Sequence, residues 1–419
     1  MGDYKLKYKV LMIGRNRGFI KALEKENLDI ELYIFEEHDL HEIQIKEPFN
    51  SKIIKEVRTG EYQQSDKLLR PIIDWHEEVK FDVVLPGVEY AVQGAGRVAK
   101  ALGLKYLGDK AVESLTNKLR LRQLCTDFEI PHPNFVKVNS IEDIYNFFDG
   151  RKIVIKPANR QASTGVIKVE HKSDINKSFE EMIRSSEGTK IANRLMEWEY
   201  MAEDYIEGDE ISVETLIKDG EIIFHNITGK TTTNGRYFVE LGHVVPAILD
   251  NNIINDIYRN QDKLVSALEA RDGFLHAEWK LTNEGPKLIE CAGRIAGDKI
   301  LDLIEQAYGF NLYGTIIKIL IGDEINIPQK ATNGASIRFF EPPTGKLDEI
   351  YGMEILNSND PNIIDWSITI KQGDIITPFA SSWSRVGYVF VIGKDNYDAV
   401  NRAEKIVKHI VFKTVPVRV

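Results

Sequence analysis

Apolar residues come in short unbroken runs along the first hundred positions: YKVLMI at 8–13, IELYIF at 30–35 and FDVVLPG at 81–87. Runs of this length, bounded by turn formers, predict strands buried on both faces. Between them the period changes. Gly14-Arg15-Asn16-Arg17-Gly18 predicts a turn, FIKALEKEN the start of a helix, and the stretch through VAKALGLKY another helix. Alternating strands and helices predict a doubly wound parallel α/β sheet over residues 1–108. Ligands of such a sheet sit at the carboxyl ends of its strands, here near Gly14 and Gly87–Glu89.

Further along, Asp109 is placed to cap one helix running through AVESLTNKLRLRQLCTDFE and stopped by Ile130-Pro131. A period of two then takes over. RKIVIKP (151–157) and GVIKVE predict strands on either side of a small polar loop, and EYMAEDYIEGDEISVETLIKDGEIIFHNITGK predicts strands joined by turns. Asp219-Gly220 is a hairpin signal within it. FLHAEWKL-TNEG-PKLIECA predicts a second hairpin. From about residue 330, strands punctuated by Gly and Pro return, with a final helix near 396–411. No solenoid repeat and no low-complexity tract interrupts this order.

A chain of 419 residues exceeds one ordinary core and predicts two to four packed units. With 43% hydrophobic and 28% charged residues the composition is that of a globular protein, and no apolar stretch reaches the length of a membrane span. The N-terminus enters a strand almost at once, without a signal-peptide cleavage pattern. The two cysteines, Cys125 and Cys291, lie far apart, which fits a reducing cytoplasm rather than a disulfide scaffold. A net charge of −10 disfavours nonspecific contact with nucleic acid or anionic membrane, yet an anionic nucleotide can still bind where basic residues gather. Gly94-Ala95-Gly96 is part of a dinucleotide fingerprint but lacks its third glycine and its leading strand. These glycines are read as permitting close helix packing.

Three segments carry candidate chemistry. In the second hairpin, a three-residue turn at Asn283-Glu284-Gly285 sets Thr282 against Pro286 and therefore Glu278 against Glu290. Like charges facing each other across a ladder repel unless a cation or proton lies between them, and Mg²⁺ takes such carboxylates together with phosphate and water. His276 and Lys280 share the Glu278 face by period two, which suits a cleft floor and a solvated edge equally. Next, Lys156 ends an apolar strand before a small polar loop. A lysine so anchored can reach phosphate oxygens, and Ser163, Thr164 and Gly165 can bring backbone amides close. The third, YMAEDYIEGDEISVE, reads by itself as an acidic edge strand. Its backbone could meet an adenine edge and Glu210 a ribose.

The order Lys118, Lys156 with its loop, Glu203-Asp204-Tyr205-Ile206, Glu210, Glu278, Glu290 and Arg294 resembles the ATP-grasp superfamily over about residues 1–325. VELGHVVPAILD (239–250) and LIECAGRIAGDKI (288–300) resemble L-amino acid ligases of the bacilysin type. The C-terminal part, from IRFFEPPTGKLDEIYG to GYVFVIGKDNYDAVNRA, is similar to the domain that follows the ligase core in many of them. The resemblance implies an ATP-grasp fold in three parts: an N-terminal α/β domain (1–108), an ATP-grasp domain (109–325) with a lid at about 151–210, and a C-terminal α+β domain (326–419). It implies that Lys118 and Lys156 hold the phosphates of ATP under the 161–165 loop. Glu203 and the backbone of Asp204 and Ile206 would then meet adenine, Glu210 the ribose, and Glu278 and Glu290 two Mg²⁺ ions, for which Mn²⁺ can substitute. Glu240, His243, Arg294 and Asp298 fall at substrate positions, with Arg294, Lys156 and His243 catalytic.

The implied reaction is attack of a carboxylate on the γ-phosphate of ATP, followed by attack of an amine on the acyl phosphate. Joining two amino acids is the leading expectation, by a cytoplasmic enzyme for which a homodimer is one assembly considered. A carrier-protein thiol as acceptor, a bicarbonate-phosphorylating carboxylase subunit and a degenerate nucleotide-binding regulator are the alternatives. Two positions depart from the pattern. Ala292 stands where the superfamily commonly has Asn and cannot ligate a metal, and Asp298 stands where the bacilysin-type enzyme has a bulky aromatic. An acid there implies either a negatively charged pocket wall or a further metal ligand.

Overall fold

The computed structural model describes residues 7–26, 28–47, 49–233, 237–379 and 381–416. The first eight elements are β1 (Tyr8–Ile13), α1 (Arg17–Lys25), β2 (Ile30–Glu36), α2 (His38–Gln44), β3 (Ile54–Thr59), α3 (Leu69–Val79), β4 (Val83–Pro86) and α4 (Val92–Ala101). Their strands form the expected parallel sheet, in the order β3-β2-β1-β4. β3 is the strand that the pattern did not announce, because IKEVRT lies at the sheet edge and is polar. α1 starts at Arg17, inside the predicted turn, because Asn16 caps it by accepting from the Phe19 amide at 3.0 Å. α4 ends at Ala101 rather than continuing through Tyr106, and Gly103 then takes a φ of +70°. The packing role of its glycines holds: a Cβ on Gly94 would sit 2.9 Å from Leu68, and one on Gly96 2.8 Å from Val112.

The single helix expected after Asp109 is two, α5 (Asp109–Leu115) and α6 (Lys118–Asp127). The apolar periodicity runs through the break, but Asn117 turns its side chain to the amides of Leu119 and Arg120 and starts a new helix. Lys118 thereby becomes the first residue of α6. A small antiparallel sheet follows, in the order β5-β8-β6-β7, from β5 (Phe135–Val138), β6 (Ile153–Pro157), β7 (Ile167–Val169) and β8 (Tyr200–Asp204). With α7 (Ile141–Phe147) and α8 (Ile175–Arg184) it encloses its own core of Ile144, Ile153, Ile155, Ile175 and Met182.

The central sheet contains β9 (Asp209–Lys218), β10 (Glu221–Thr232), β11 (Glu240–Val245), β12 (Gly273–Thr282) and β13 (Gly285–Ala292). Asp219 and Gly220 both adopt positive φ, 53° and 86°, as the predicted hairpin turn requires. β14 (Gly334–Phe339) pairs with β11. The sheet therefore runs on without a break into the C-terminal third, in the order β13-β12-β9-β10-β11-β14 and then two strands at Gly387–Gly393 and Ile363–Ile368. Of the remaining strands, β15 (Gly345–Tyr351), β17 (Ile375–Ile376) and β19 (Val411–Val415) form a separate three-stranded sheet. β16 (Ile363–Ile368) and β18 (Gly387–Gly393) complete the large one. α9 (Asn251–Ala267), α10 (Ile300–Tyr308), α11 (Leu312–Ile321) and α12 (Asn396–His409) cover its faces. α11 is apolar nearly all round because it lies in the core shared by the parallel sheet and the central sheet. No helix among the described residues is long and apolar enough to cross a membrane.

Candidate active site

The β12–β13 hairpin places Glu278 opposite Glu290, but by a different route from the one expected. Its turn has two residues, Asn283 and Glu284, and Thr282 pairs with Gly285 rather than Pro286. That register alone would set Glu290 against Ala277, on the other face of the sheet. A bulge at Ile289 adds one residue, so that Trp279 faces Leu288 while Glu278 faces Glu290. The bulge also leaves the Ile289 carbonyl free to accept from Arg122 Nη2 at 2.7 Å.

Each of the two glutamates has its own lysine. Lys118 Nζ lies 2.8 Å from Glu290 Oε1 and also donates to the carbonyl of Arg160, which ties α6 to the small polar loop after β6. Lys230, on β10, pairs with Glu278 and with Glu210 Oε1 at 3.1 Å. Lys280 meets the other Glu210 oxygen at 3.3 Å. Oxygens of Glu210, Glu240 and Glu278 all lie within 4.8 Å of one another, so Lys230 stands among three carboxylates. Burial alone would lower its pKa, yet Glu278, Glu210 and Glu240 hold it well above the ordinary lysine value. For Glu278, burial opposes ionisation, but Lys230 and His276 keep it well below the usual carboxylate range. Behind this floor His276 Nδ1 meets Glu214 Oε1 at 2.9 Å, and Glu214 also accepts from Ser212, Asn226 and Thr228.

The second lysine, Lys156 on β6, pairs with Glu203 on β8, and Arg122 reaches the same carboxylate at 2.9 and 3.2 Å. Burial raises the Glu203 pKa, but the two cations outweigh it and the net shift is downward. Glu203 thus holds a buried cation pair rather than standing open to a base. The Asp204 amide is occupied by the Asn134 carbonyl at 2.9 Å. The Ile206 amide makes no internal hydrogen bond among the described residues. Arg122 and Lys230 were not singled out from sequence. An i, i+4 spacing from Lys118 puts Arg122 on the same helix face, which was a usable signal.

One cleft of about 790 Å³ brings together Lys118, Lys156, Ser163, Thr164, Glu203, Asp204, Ile206, Glu210, Glu240, Glu278 and Glu290. Gly165 closes the loop beside it, at φ +74° with Pro157 and Ser185 against it. Arg294, His243 and Asp298 lie outside this lining. Arg294 Nε donates to Glu89 Oε2 at 2.8 Å, which ties Arg294 to the carboxyl edge of the parallel sheet. Asp298 is neither an open pocket wall nor grouped with the acids. Arg385, from the C-terminal third, grips it with both terminal nitrogens, one at 2.7 Å, and His243 Nε2 lies 3.2 Å away. Sequence offered no hint of Arg385, because its partners lie 87 and 145 residues earlier. Hard carboxylate oxygens from Glu278 and Glu290 on one face suit Mg²⁺, so the donor set fits the ion.

Residues 150–302 match the ATP-grasp domain, and residues 338–415 match the L-amino acid ligase C-terminal domain 2. Alanine–anticapsin ligase of Bacillus subtilis (strain 168) is 24% identical over 283 residues, 63% of this chain. The match spans only 59% of that relative's length. An L-arginine-specific L-amino acid ligase of Bacillus subtilis is 24% identical over 72% of this chain and 73% of its own. The crystal structure of L-amino acid ligase from Bacillus licheniformis superposes with a TM-score of 0.79 at 18% identity, covering 98% of this chain and 100% of that one. The expected fold is therefore the observed one.

Proposed function

Starting from an ATP-grasp domain joined to an L-amino acid ligase C-terminal domain, we propose that this chain is an ATP- and Mg²⁺-dependent carboxylate–amine ligase. It joins an amino acid to an amine, in the leading case a second amino acid, through an acyl phosphate, and releases ADP and phosphate. The observation that carries this reading is the single cleft in which two lysines and the paired glutamates meet beneath a small-residue loop.

In this reading Lys118 and Lys156 exchange their present carboxylate partners for phosphate oxygens. Ser163, Thr164 and Gly165 cover the phosphates with backbone amides. The Ile206 amide is the free donor for an adenine edge, beside Glu203 and the Asp204 backbone, and Glu210 takes the ribose. Glu278 and Glu290 would hold Mg²⁺. When bound, the ion neutralises charge on the phosphates. Arg294 neutralises the acyl phosphate and the tetrahedral intermediate, and Glu240 and His243 face the amino-acid substrates. Catalysis is then positioning and charge compensation, with no protein nucleophile.

The relatives support an amino-acid substrate, since two of them are named for alanine and for arginine. The test is a phosphate-release screen over the twenty amino acids, singly and in pairs, with mass spectrometry of products. The expected product has the mass of two amino acids less one water. Phosphate release independent of any amino acid overturns the ligase reading. Amino-acid-dependent hydrolysis without an amide points to a carrier thiol as acceptor.

A further inference from the structure

His243, Asp298 and Arg385 form a chain of contacts that links β11 to the C-terminal third. His243 lies on β11 directly opposite Lys230 of β10, and paired residues project from the same face of a sheet. Lys230 reaches into the cleft floor, so His243 faces that side too. Its imidazole is buried, and its Nε2 meets Asp298 Oδ2 at 3.2 Å. Asp298 is held as a carboxylate and can only accept, so Nε2 carries the proton. In the neutral imidazole Nδ1 then has the lone pair, and it finds no partner among the described residues. Burying an acceptor without a partner is unfavourable, so one is expected to have a use.

The rest of the network fixes this tautomer. Arg385 donates to both Asp298 oxygens, to the Ser382 carbonyl at 2.9 Å and to the Glu240 carbonyl at 3.2 Å. Its guanidinium lies 3.7 Å from the centre of the Phe339 ring, which meets His243 edge-on at 6.3 Å. The Ser336 hydroxyl donates to the His243 carbonyl at 3.0 Å. Asp298 itself adopts φ +52°, a conformation that a non-glycine residue keeps only when its surroundings impose it.

We propose that Asp298 and Arg385 are positioning residues that present His243 Nδ1 as the proton acceptor for the incoming amine. The inference rests on the ligase reading. The substrate ammonium gives one proton to Nδ1, and the freed lone pair forms the C–N bond at the acyl phosphate carbonyl. The tetrahedral intermediate then breaks its C–O bond to phosphate. Of the two protons left on the nitrogen, one leaves with that phosphate and the other stays on the amide, and His243 returns its own to solvent. Arg385 places this step under the control of the C-terminal domain.

The test compares two nucleophiles on one enzyme. Hydroxylamine is already unprotonated at neutral pH and traps an acyl phosphate as a hydroxamate without a base. The amino acid giving the fastest hydroxamate formation among the twenty serves as carboxylate substrate, and the twenty amino acids serve as amine. Asp298→Asn keeps the shape but favours the wrong tautomer. It is expected to lower amide formation roughly a hundredfold or more relative to hydroxamate formation. Arg385→Lys, which keeps the charge and loses the fork, is expected to fall between. Hydroxamate formation also reports that each variant is folded. Parallel loss of both products, or amide formation at the wild-type rate in Asp298→Asn, overturns the relay. A wild-type enzyme that forms no hydroxamate with any amino acid overturns the ligase reading, and the relay with it.

Discussion

Lys230 and Glu278 are 48 residues apart in sequence and form an ion pair in the floor of the cleft, with the lysine side chain only 2% exposed. The same ammonium serves Glu210, and Glu240 is close by. Removing it leaves three neighbouring carboxylates without their shared cation. Breaking a buried pair from one side costs about 3–5 kcal/mol, so Lys230→Met is expected to lose that much at neutral pH in denaturant unfolding. A loss below about 1 kcal/mol would mean that the pair behaves as a surface bridge.

The pH dependence of that loss has a definite sign. In the wild type, Glu278 is held well below its ordinary range, so its contribution is complete above the unfolded carboxylate pKa and disappears as pH falls through the folded one. Without Lys230 the carboxylates repel, the folded pKa of Glu278 rises, and acid stabilises the variant instead. The stability gap between wild type and Lys230→Met should therefore narrow from about pH 8 to about pH 4. A gap independent of pH across this window is the contrary result.

Glu278→Gln and Glu290→Gln test the metal assignment. Each removes one hard ligand and frees a lysine, Lys230 or Lys118, to repel the ion. The Mg²⁺ concentration for half-maximal ATP turnover is expected to rise at least about tenfold in both. If only Glu278→Gln has this effect, Glu290 acts as the anchor of Lys118 and not as a ligand.

Arg294→Ala removes the cation proposed to meet the acyl phosphate, and turnover is expected to fall roughly a hundredfold or more. Glu89→Gln separates binding from positioning. It keeps the size of the group that holds Arg294 Nε and removes its charge. Its effect on kcat should be smaller than that of Arg294→Ala, as steady-state kinetics of phosphate release can show.

Legibility in the sequence followed the physics of each element. The central strands of the parallel sheet were plain because burial on both faces demands unbroken apolar runs. β3 was hidden by its exposed edge, and the break before α6 by a single capping asparagine. The Glu278–Glu290 pairing was reached through a turn one residue too long, and the bulge at Ile289 supplied the missing residue further along β13. Most of the acids and lysines of the cleft could be named because their order resembles a known family. Their partners could not. Arg122 meets Glu203 across 81 residues, and Arg385 meets Asp298 across 87, so only the folded chain reveals what neutralises these charges.

The loop over the cleft stores strain that the proposed function explains. Ala162 and Ser163 adopt φ of 56° and 55°, ahead of Gly165 at 74°. The left-handed region costs a residue with a Cβ roughly 1–2 kcal/mol, so two such residues in a row persist only if the conformation is needed. Backbone amides held in this way can close on phosphate without first losing entropy. Ser163→Gly relieves the strain and loosens the loop. Thermal stability should stay level or rise slightly, because glycine gains in the folded state what it loses through a freer unfolded chain. KM for ATP should rise severalfold with kcat nearly unchanged, since only the pre-formed contact to the phosphates is weakened. An unaltered KM for ATP would show that the loop conformation serves folding alone.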